Sequence, residues 1–537
     1  GVTLTIQSGV TVKANSLRGL YVYGTIIATE TNFTRSGTTG YWKGIYLSPA
    51  SGSSSFTNCQ FSYGGAYNGG AGIGNFNGSS RQVMLYLDDC DPVISGCSFA
   101  NAERNGVEMY SSRCTFQSNT ISDVNASYYP LIYDTPDCFP VISGTTITGT
   151  GQKTIPLGGG VLSDTGTWRK VADGFPFLIG ENLTVSEGQT LTLEPGVTIR
   201  WADRGLYVNG TLHAVGTETA PIVLTSDDAT PAAGQWRGVY LGPTAGASQI
   251  AWLQISNAGS YNGGVGLGKF HDQNFITGLL VDSSHPSMES LTITLSGGVG
   301  LDLWACNSTL NNLTIDRTTR NGFRAQAGCR PTINTVSLTN TGTSNYYTGS
   351  MDFQSCPTVS NVTQSGNKMP GLQVYGGTLS TPATWQKWAD GLPWIITADV
   401  TLSENTTWTV NPGVVIKSNA AVIYLLGTAL CDGTSEPIIF TSYKDDSVAG
   451  DTNGDGATAP AGGNWVGIYV GPTAGASEFR NCTFRYAAAY NGGPGIGNYE
   501  GAPRFGTLFV HNSSPVFYGC TISNGDRGGI HLFGSQA

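Results

Sequence analysis

An acidic loop in the last quarter of the chain has the residue pattern of a calcium-binding turn. Residues 451–456 place carboxylate or amide oxygens at alternate positions before a turn glycine, as in the first half of a calcium loop. The twelfth position of the loop is Gly462 and not the usual bidentate Glu, so further ligands are required. The predicted calcium ligands are Asp445, Asp446, Asp451, Asn453 and Asp455. The alternative is a solvated turn of Asp and Asn residues.

A second feature that could bind a ligand is a Tyr-Asn-Gly-Gly string that occurs three times. An aromatic ring beside an amide could stack on a sugar and hydrogen-bond its hydroxyl groups. The alternative is that Asn-Gly forms a tight corner while Tyr packs on its neighbours. The predicted carbohydrate contacts are Tyr67, Asn68, Tyr261, Asn262, Tyr490 and Asn491.

Asn-x-Ser/Thr sequons are a third feature, and they predict glycosylation sites if the protein is exported. A chain rich in Asn, Ser and Thr also contains such triplets by chance. The candidate acceptors are Asn32, Asn77, Asn182, Asn209 and Asn405.

The elements that must position these residues are repeated. A Trp-x-Gly-(Ile/Val)-Tyr string starts at Trp42, Trp236 and Trp465, always between a Gly-Val string and a Tyr-Asn-Gly-Gly string. This order predicts three tandem modules, at 1–166, 167–383 and 384–537, with the first incomplete at its N-terminal side and the third at its C-terminal side. The tryptophans near the junctions are expected to fasten one module to the next: Trp168, Trp385, Trp388 and Trp394.

A finer period of 22 to 23 residues lies inside a module, for example between residues 300–306 and 322–329. Each unit holds two or three short alternating runs separated by Gly, Asn, Ser or Pro, which is typical of short strands joined at corners. Stacked units can close a core when each strand pairs in parallel with its equivalent in the next coil. The sequence therefore predicts an all-β parallel solenoid, an elongated rod on the order of 110 Å long at ~4.8 Å per coil.

Composition agrees with this architecture. The chain has 75 glycines among 537 residues, about twice the usual ~7%, and only 12% charged residues against a typical ~25%. It is built from Gly, Thr, Ser, Asn and β-branched residues, which favour strands and turns over helical bundles. The hydrophobic fraction of 39% argues against a disordered chain.

The 11 cysteines are too sparse for a small disulfide scaffold. Cys90, Cys114 and Cys138 follow one another at intervals of 24 residues, which predicts a ladder of side chains along the solenoid. A second ladder is predicted from Cys306, Cys329 and Cys356. Adjacent members could form disulfides, but a stack of small buried thiols is the favoured interpretation.

The net charge of −10 disfavours nucleic acid as a partner. No run approaches 18 consecutive apolar residues, so no membrane span is predicted. The N-terminus lacks Met and the features of a signal peptide, which suggests a mature or excised segment.

Several strings of the second module resemble the right-handed parallel β-helix repeat proteins secreted by bacteria and archaea, whose fold is shared with pectate lyases. These strings are residues 195–199, 205–212, 220–226 and 236–240, and equivalents recur along the chain. The resemblance implies a right-handed parallel β-helix. It implies little about function, because the same coil serves lyases, glycosidases, tailspikes, adhesins and surface fibres.

The residue strings expected of such enzymes are not found. A pectate-lyase-like Arg-x-Pro-x-x-Arg string is absent, since no second Arg follows Arg330 and Pro331, and there is no Gly-His-Gly or Arg-Ile-Lys of the polygalacturonase type. Asp-Asp pairs do occur, but none stands beside a His or Lys in a recognisable pattern. The sequence therefore favours a protein that is not an enzyme.

The function predicted from the sequence is that of an extracellular or cell-surface structural β-helix: a stalk, fibre subunit or adhesin. Neither end shows the polar cap that a solenoid needs, so we expect end-to-end self-association, another surface protein, or a longer chain. The alternatives are a polysaccharide lyase or glycoside hydrolase, and a protein that binds carbohydrate without turnover.

Overall fold

The computed structural model describes residues 1–67, 70, 72–264, 266–343, 345–489 and 495–537, without the side chain of Asn262. Within these residues the regular structure is β-strand, apart from three short 3-10 turns. The chain divides into two compact units. Unit 1 contains Gly1–Pro231 and Gln235–Ile255, and unit 2 contains Ala232–Gly234 and Ser256–Ala537. The division into three modules stays a prediction.

In unit 1, each strand pairs in parallel with its equivalent one coil later. The first sheet contains Thr3–Ile6, Thr25–Thr29, Ser55–Thr57, Val93–Ser95, Thr115–Gln117 and Val141–Ser143. The second contains Gly19–Val22, Gly44–Leu47, Val83–Asp88, Asn105–Tyr110 and Leu131–Tyr133. The third contains Thr11–Ala14, Asn32–Arg35, Gln60–Ser62, Ser98–Ala100, Thr120–Ser122 and Thr146–Thr148.

The later coils of unit 1 continue this arrangement in three further runs of parallel strands. The first run contains Ile155–Pro156, Phe177–Ile179, Thr198–Trp201, Ile222–Ser226 and Leu253–Ser256, whose last residue belongs to unit 2. The second contains Gly160–Leu162, Leu183–Val185, Gly205–Val208 and Gly238–Leu241. The third contains Gly166–Trp168, Thr190–Leu193, Thr211–Val215 and Gln249–Ala251.

Unit 2 begins with long strands that turn a corner without a break: Ser287–Ser296, Thr309–Thr318, Thr332–Thr341 and Thr358–Ser365. Its longest run of paired strands contains Thr277–Asp282, Val299–Trp304, Phe323–Gln326, Tyr347–Met351, Met369–Val374, Trp394–Ile396, Val415–Ser418, Ile438–Ser442, Cys482–Arg485 and Thr521–Ser523. A third contains Gly377–Leu379, Val400–Leu402, Val422–Leu425, Gly467–Val470, Leu508–His511 and Ile530–Phe533. A fourth contains Ala383–Trp385, Thr407–Val410, Thr428–Asp432, Glu478–Arg480 and Val516–Tyr518.

Among the described residues, three antiparallel hairpins form two-stranded sheets of their own, outside the parallel sheets of the coils. They pair Gly74–Phe76 with Ser79–Arg81, Gly268–Phe270 with Gln273–Phe275, and Gly497–Tyr499 with Ala502–Arg504. The 3-10 turns are Pro49–Ser51, Ala245–Ala247 and Asn262–Gly264.

The register confirms the period read from the sequence. Leu301 pairs with Phe323, 22 residues later, and Thr309 pairs with Thr332, 23 residues later. Residues that alternate along a strand alternate between the core and the surface, which gives patterns such as buried Leu212 and Ala214 between more exposed neighbours. The predicted parallel β-solenoid is thus confirmed within each unit.

The core of each unit is a set of stacked side chains. In unit 1 the ring of Phe61 stacks on Phe33 at 5.0 Å and on Phe99 at 4.6 Å. In unit 2 Phe440 stacks on Phe484 at 4.9 Å. Each coil contributes one side chain to a stack, so every added coil buries a similar apolar area.

The cysteines are free thiols, and all are buried except Cys520, which is half-buried. Burial raises the pKa of Cys90 to about 12 and that of Cys329 to about 12. The backbone N–H of Cys356 donates to the carbonyl oxygen of Cys329 at 2.9 Å, so these two positions lie on adjacent coils as predicted. The ladder cysteines are therefore packing residues, in agreement with the favoured interpretation.

Candidate functional site

The acidic loop between the strands Ile438–Ser442 and Gly467–Val470 gathers three of its five predicted ligands. Carboxylate oxygens of Asp446, Asp451 and Asp455 lie within 4.8 Å of one another. Asp446 is half-buried and Asp455 is exposed, so the cluster opens to solvent on one side. Three carboxylates at this spacing are a ligand set that suits a hard divalent cation such as calcium.

The turn itself holds these side chains in place. Asp451 Oδ1 accepts hydrogen bonds from the backbone N–H groups of Asn453 at 3.2 Å and Gly454 at 2.7 Å. Asp451 Oδ2 accepts one from Gly456 at 3.0 Å. Gly454 and Gly456 have φ angles of 71° and 79°, where a side chain would strain the backbone. Asn453 Nδ2 donates to Asp455 Oδ2 at 2.7 Å, so Asn453 braces the cluster through its amide.

Asp445 lies apart from the three clustered carboxylates. It is fully buried, pairs with Arg485 at 2.6 Å, and accepts hydrogen bonds from the hydroxyls of Thr441 at 2.5 Å and Ser447 at 2.6 Å. These partners occupy its carboxylate, so Asp445 anchors the base of the loop. Successive residues point in different directions, and this separates Asp445 from Asp446.

A buried lysine supports the loop from below. Lys417 Nζ donates to the carbonyl oxygen of Gly450 at 2.8 Å and to Thr452 Oγ1 at 2.9 Å. Burial lowers the pKa of Lys417 to about 8, against the opposing attraction of Asp445 and other nearby carboxylates. Burial and then the charge of Asp451 raise the pKa of Asp446. The carboxylates of the loop therefore repel one another, and a bound cation would reduce this repulsion.

The Tyr-Asn-Gly-Gly strings are only partly described. Asn68, Tyr490 and Asn491 lie outside the described residues, as does the side chain of Asn262. Tyr67 is 42% exposed and Tyr261 is 64% exposed. The Arg104 guanidinium covers one face of the Tyr67 ring, 4.1 Å from its centre, which leaves Tyr261 as the more open aromatic surface.

The hairpins that follow these strings are structural features that the sequence reasoning missed. Phe76, in the first hairpin, stacks on Tyr46 at 4.0 Å between ring centres. Tyr499, in the third, stacks on Tyr469 at 4.6 Å. The signal in the sequence is the Gly-x-Gly string that ends each repeated loop, followed by an aromatic residue two positions on.

The tip of each hairpin reaches a residue at the end of a coil strand, and the chemistry differs in each repeat. Asn77 Nδ2 donates to Asp88 Oδ1 at 2.7 Å. His271 Nε2 lies 2.8 Å from Asp282 Oδ1. Glu500 Oε1 lies 3.5 Å from His511 Nε2, so acid and imidazole have exchanged places between the second and third hairpins.

Two further buried ion pairs join residues on different strands: Arg81 ends the first hairpin, and Arg324 lies on a coil strand. Arg81 binds Glu108 and lies 2.7 Å from Asp134, and burial raises the pKa of Glu108 to about 7. Arg324 Nε lies 3.0 Å from both carboxylate oxygens of Asp302, which is fully buried. The two members of each ion pair lie on different strands, and no nearby sequence motif predicts either pair.

A groove in unit 1 has a volume of about 490 Å³. Polar and aromatic side chains along it include Tyr129, Asp134, Glu181 and Asp227. Asp134 also contacts Arg81, which ties the floor of the groove to the buried ion pair. An acidic groove with an aromatic wall could hold a polyhydroxylated chain.

The candidate glycosylation sites differ in accessibility. Asn182 and Asn405 are exposed, whereas Asn32 and Asn209 are half-buried on coils. Asn77 is exposed as a residue, but its amide donates to Tyr86 Oη at 2.9 Å and to Asp88. A glycan on Asn77 would have to replace those hydrogen bonds, so Asn182 and Asn405 are the better acceptors.

In comparison with known proteins, two stretches of the chain match β-helix families. Residues 1–167 match a family described as "Right handed beta helix region", and residues 172–264 match one described as "Pectate-lyase like beta helix domain". A stretch of 92 residues, 17% of this chain, is 41% identical to "Protein bark beetle" of Drosophila melanogaster. The matched stretch spans 3% of that relative. Among the described residues, no helix is long and apolar enough to cross a membrane.

Proposed function

Because the chain is a right-handed parallel β-helix, we propose that it is a structural protein of the extracellular space or cell surface: a stalk, fibre subunit or adhesin. The pectate-lyase-like fold is compatible with either a lyase or a protein without catalytic activity. The observation that carries the proposal is that buried ionisable side chains are held by ion pairs or hydrogen bonds within the fold. Arg81 with Glu108 and Arg324 with Asp302 are the main examples.

The surface of the coils supports a structural role. Polar side chains form hydrogen-bonded ladders from one coil to the next, as where Asn334 Nδ2 donates to Asn311 Oδ1 at 2.9 Å. Ser360 Oγ continues this ladder, 3.3 Å from Asn334 Oδ1. Such rows order the surface while leaving other hydrogen-bonding groups free for a partner, as an adhesive or fibrous protein requires.

Exposed apolar side chains in both units support self-association as part of the proposal. In unit 1, Val2 is 86% exposed and Tyr23 is 67% exposed. In unit 2, Tyr518 is 67% exposed and Leu532 is 50% exposed. We propose that these side chains pack on a second copy of the chain, because exposed apolar area favours association.

Light scattering of the purified chain tests this assembly. We expect particles larger than the 56.2 kDa monomer, growing with protein concentration, and fibrous material in electron micrographs. The control is a variant with Tyr23→Lys and Tyr518→Lys, which places charge on both surfaces and should remain monomeric. A monodisperse monomer at all concentrations would contradict self-association.

A second candidate function is carbohydrate binding or cleavage, and the acidic groove in unit 1 is the observation that favours it. A lyase acting on acidic polysaccharide releases unsaturated product that absorbs in the ultraviolet. We expect no such product from the wild-type protein with added calcium. Turnover that is lost in Asp134→Asn but kept in Asp173→Asn, whose exposed side chain is not among those lining the groove, would replace the structural proposal with an enzymatic one.

We further propose that the acidic loop binds calcium through Asp446, Asp451 and Asp455, and that the ion makes this loop more rigid. With three carboxylates and no bidentate Glu, the expected dissociation constant is on the order of 10⁻⁴–10⁻³ M. Calorimetric titration should show at least a roughly tenfold loss of affinity in Asp455→Asn, because one charged ligand is removed. The exposed Asp173→Asn serves as the control and should bind as the wild type does. Equal affinity in all three proteins would contradict the site.

A further inference from the structure

Two pairs of cysteines differ from the ladder cysteines in their placement. Cys59 immediately precedes the strand Gln60–Ser62, and Cys97 immediately precedes the neighbouring strand Ser98–Ala100. Gln60 pairs with Ser98, and the backbone N–H of Ser98 donates to the carbonyl oxygen of Cys59 at 2.9 Å. The two cysteines therefore occupy the same corner of adjacent coils.

The same arrangement recurs in unit 2. Thr483 pairs with Thr521, which places Cys482 beside Cys520 at the start of neighbouring strands. Adjacent strands are about 4.7–4.9 Å apart, within the Cα separation of about 4.4–6.8 Å that a disulfide spans. The spacing of adjacent strands therefore falls within the range that a disulfide spans.

Within each pair the two thiols shift each other's pKa in opposite directions, down for Cys59 and Cys520 and up for Cys97 and Cys482. Cys59 and Cys97 point the same way, since each Sγ lies 3.5 Å from the carbonyl oxygen two residues before it. The hydrogen bond with the Cys97 thiol lowers the pKa of Cys59 to about 7. The equivalent bond with Cys482 lowers the pKa of Cys520 to about 6. In contrast, burial dominates the ladder cysteines and raises their pKa values.

The second repeat of the sequence lacks both members of the pair. Its equivalents of Cys59 and Cys97 are Leu253 and Leu291, which lie 17 and 55 residues after Trp236, as the two cysteines do after Trp42. In the first and third repeats both positions are cysteine, and 38 residues separate them each time. Two cysteines that occur together or are replaced together form a functional unit more readily than two independent packing residues.

We propose that Cys59–Cys97 and Cys482–Cys520 are reversible disulfide sites that form by exchange with a small-molecule disulfide such as oxidised glutathione. One thiolate attacks the sulfur–sulfur bond of glutathione disulfide, which forms a mixed disulfide and releases one glutathione thiolate. The partner cysteine, as its thiolate, then attacks the protein sulfur of that mixed disulfide and releases the second glutathione. The two protein thiols give up two protons and two electrons, and glutathione disulfide is reduced to two glutathione molecules.

Exposure sets the order of the two reactions. Cys520 is half-buried, whereas Cys59, Cys97 and Cys482 are each 1% exposed. The pair in unit 2 therefore reacts first, through Cys520. The pair in unit 1 reacts more slowly, because oxidant reaches it only when the coil opens locally.

The test uses the full reduced chain, incubated with oxidised glutathione, blocked with an alkylating reagent, digested and analysed by mass spectrometry. We expect a peptide linked through Cys482 and Cys520 first, and one linked through Cys59 and Cys97 later. We also expect a rise in the thermal midpoint that dithiothreitol reverses.

The double variant Cys482→Leu with Cys520→Leu copies the residues of the second repeat and is the matched control. It should fold, lose the first linkage and keep the second. Stable glutathione adducts on Cys520 without a linked peptide would overturn the proposal, as would links between different chains or to the ladder cysteines. Unchanged thiols at all four positions after prolonged incubation would overturn it as well.

Discussion

Asp302→Leu is expected to destabilise unit 2 by about 3–5 kcal/mol, because it leaves the Arg324 guanidinium without its buried partner. Asp302 is fully buried, and the Arg324 side chain is 19% exposed. Arg324 Nε donates to Asp302 Oδ1 and Nη2 donates to Oδ2, the paired geometry that gives the strongest hydrogen bonds. Chemical denaturation followed by tryptophan fluorescence measures the loss.

The double variant Asp302→Leu with Arg324→Leu is the control for that result. Replacing both members of a buried ion pair with apolar residues is often neutral, so most of the stability should return. Leu280, the register neighbour of Asp302, shows that leucine fits this row of side chains. If the double variant is as unstable as the single one, the loss comes from packing and not from the unpaired charge.

Trp385→Ala is expected to cost about 3–5 kcal/mol, since it removes the centre of an aromatic cluster. Trp385 is 1% exposed and stacks on Trp394 at 4.2 Å between ring centres. It also meets Trp408 edge-on at 4.9 Å and Phe353 at 5.6 Å. These partners come from both sides of the predicted module boundary at residue 384.

Trp385→Phe distinguishes packing from polarity at the same position. The indole N–H of Trp385 is buried without a hydrogen-bond partner, so phenylalanine removes an uncompensated polar group while keeping an aromatic ring. We expect thermal unfolding to show a loss of less than about 1.5 kcal/mol for this variant. A loss as large as that of Trp385→Ala would mean that the full indole volume, and not aromatic stacking, holds the cluster together.

The fold could be predicted from the sequence because its signals are local and repeated. The recurrence of Leu301 as Phe323, and of Cys329 as Cys356, reflects one side chain per coil, and a period of this kind needs no knowledge of distant contacts. Gly, Asn and Asp residues, which favour turns, predict the corners between the strands. The clustering of Asp446, Asp451 and Asp455 could be predicted for the same reason, since these carboxylates lie within a short segment, while calcium binding itself stays a prediction.

The remaining site features could not be predicted because their partners come from separate coils. Glu108 meets Arg81 across 27 residues, and nothing near either residue marks the pair. The contacts of the hairpin tips could not be predicted for another reason. Asn77, His271 and Glu500 occupy the same position in the three hairpins, but their side chains differ in chemistry. The sequence groups Asp445 with the predicted calcium ligands because it lies close to them along the chain. Proximity in the sequence does not show the direction in which a side chain points.

The three hairpins have a consequence for engineering. Each is anchored by an aromatic residue and strand pairing, while its tip carries a different residue in every repeat, and so the frame tolerates changes at the tip. The acidic loop shows the same tolerance at another corner, because the strands on either side of it keep their parallel register. This chain is therefore suited to serve as a scaffold for peptide display, with tips open to randomisation on a backbone that the neighbouring coils hold fixed.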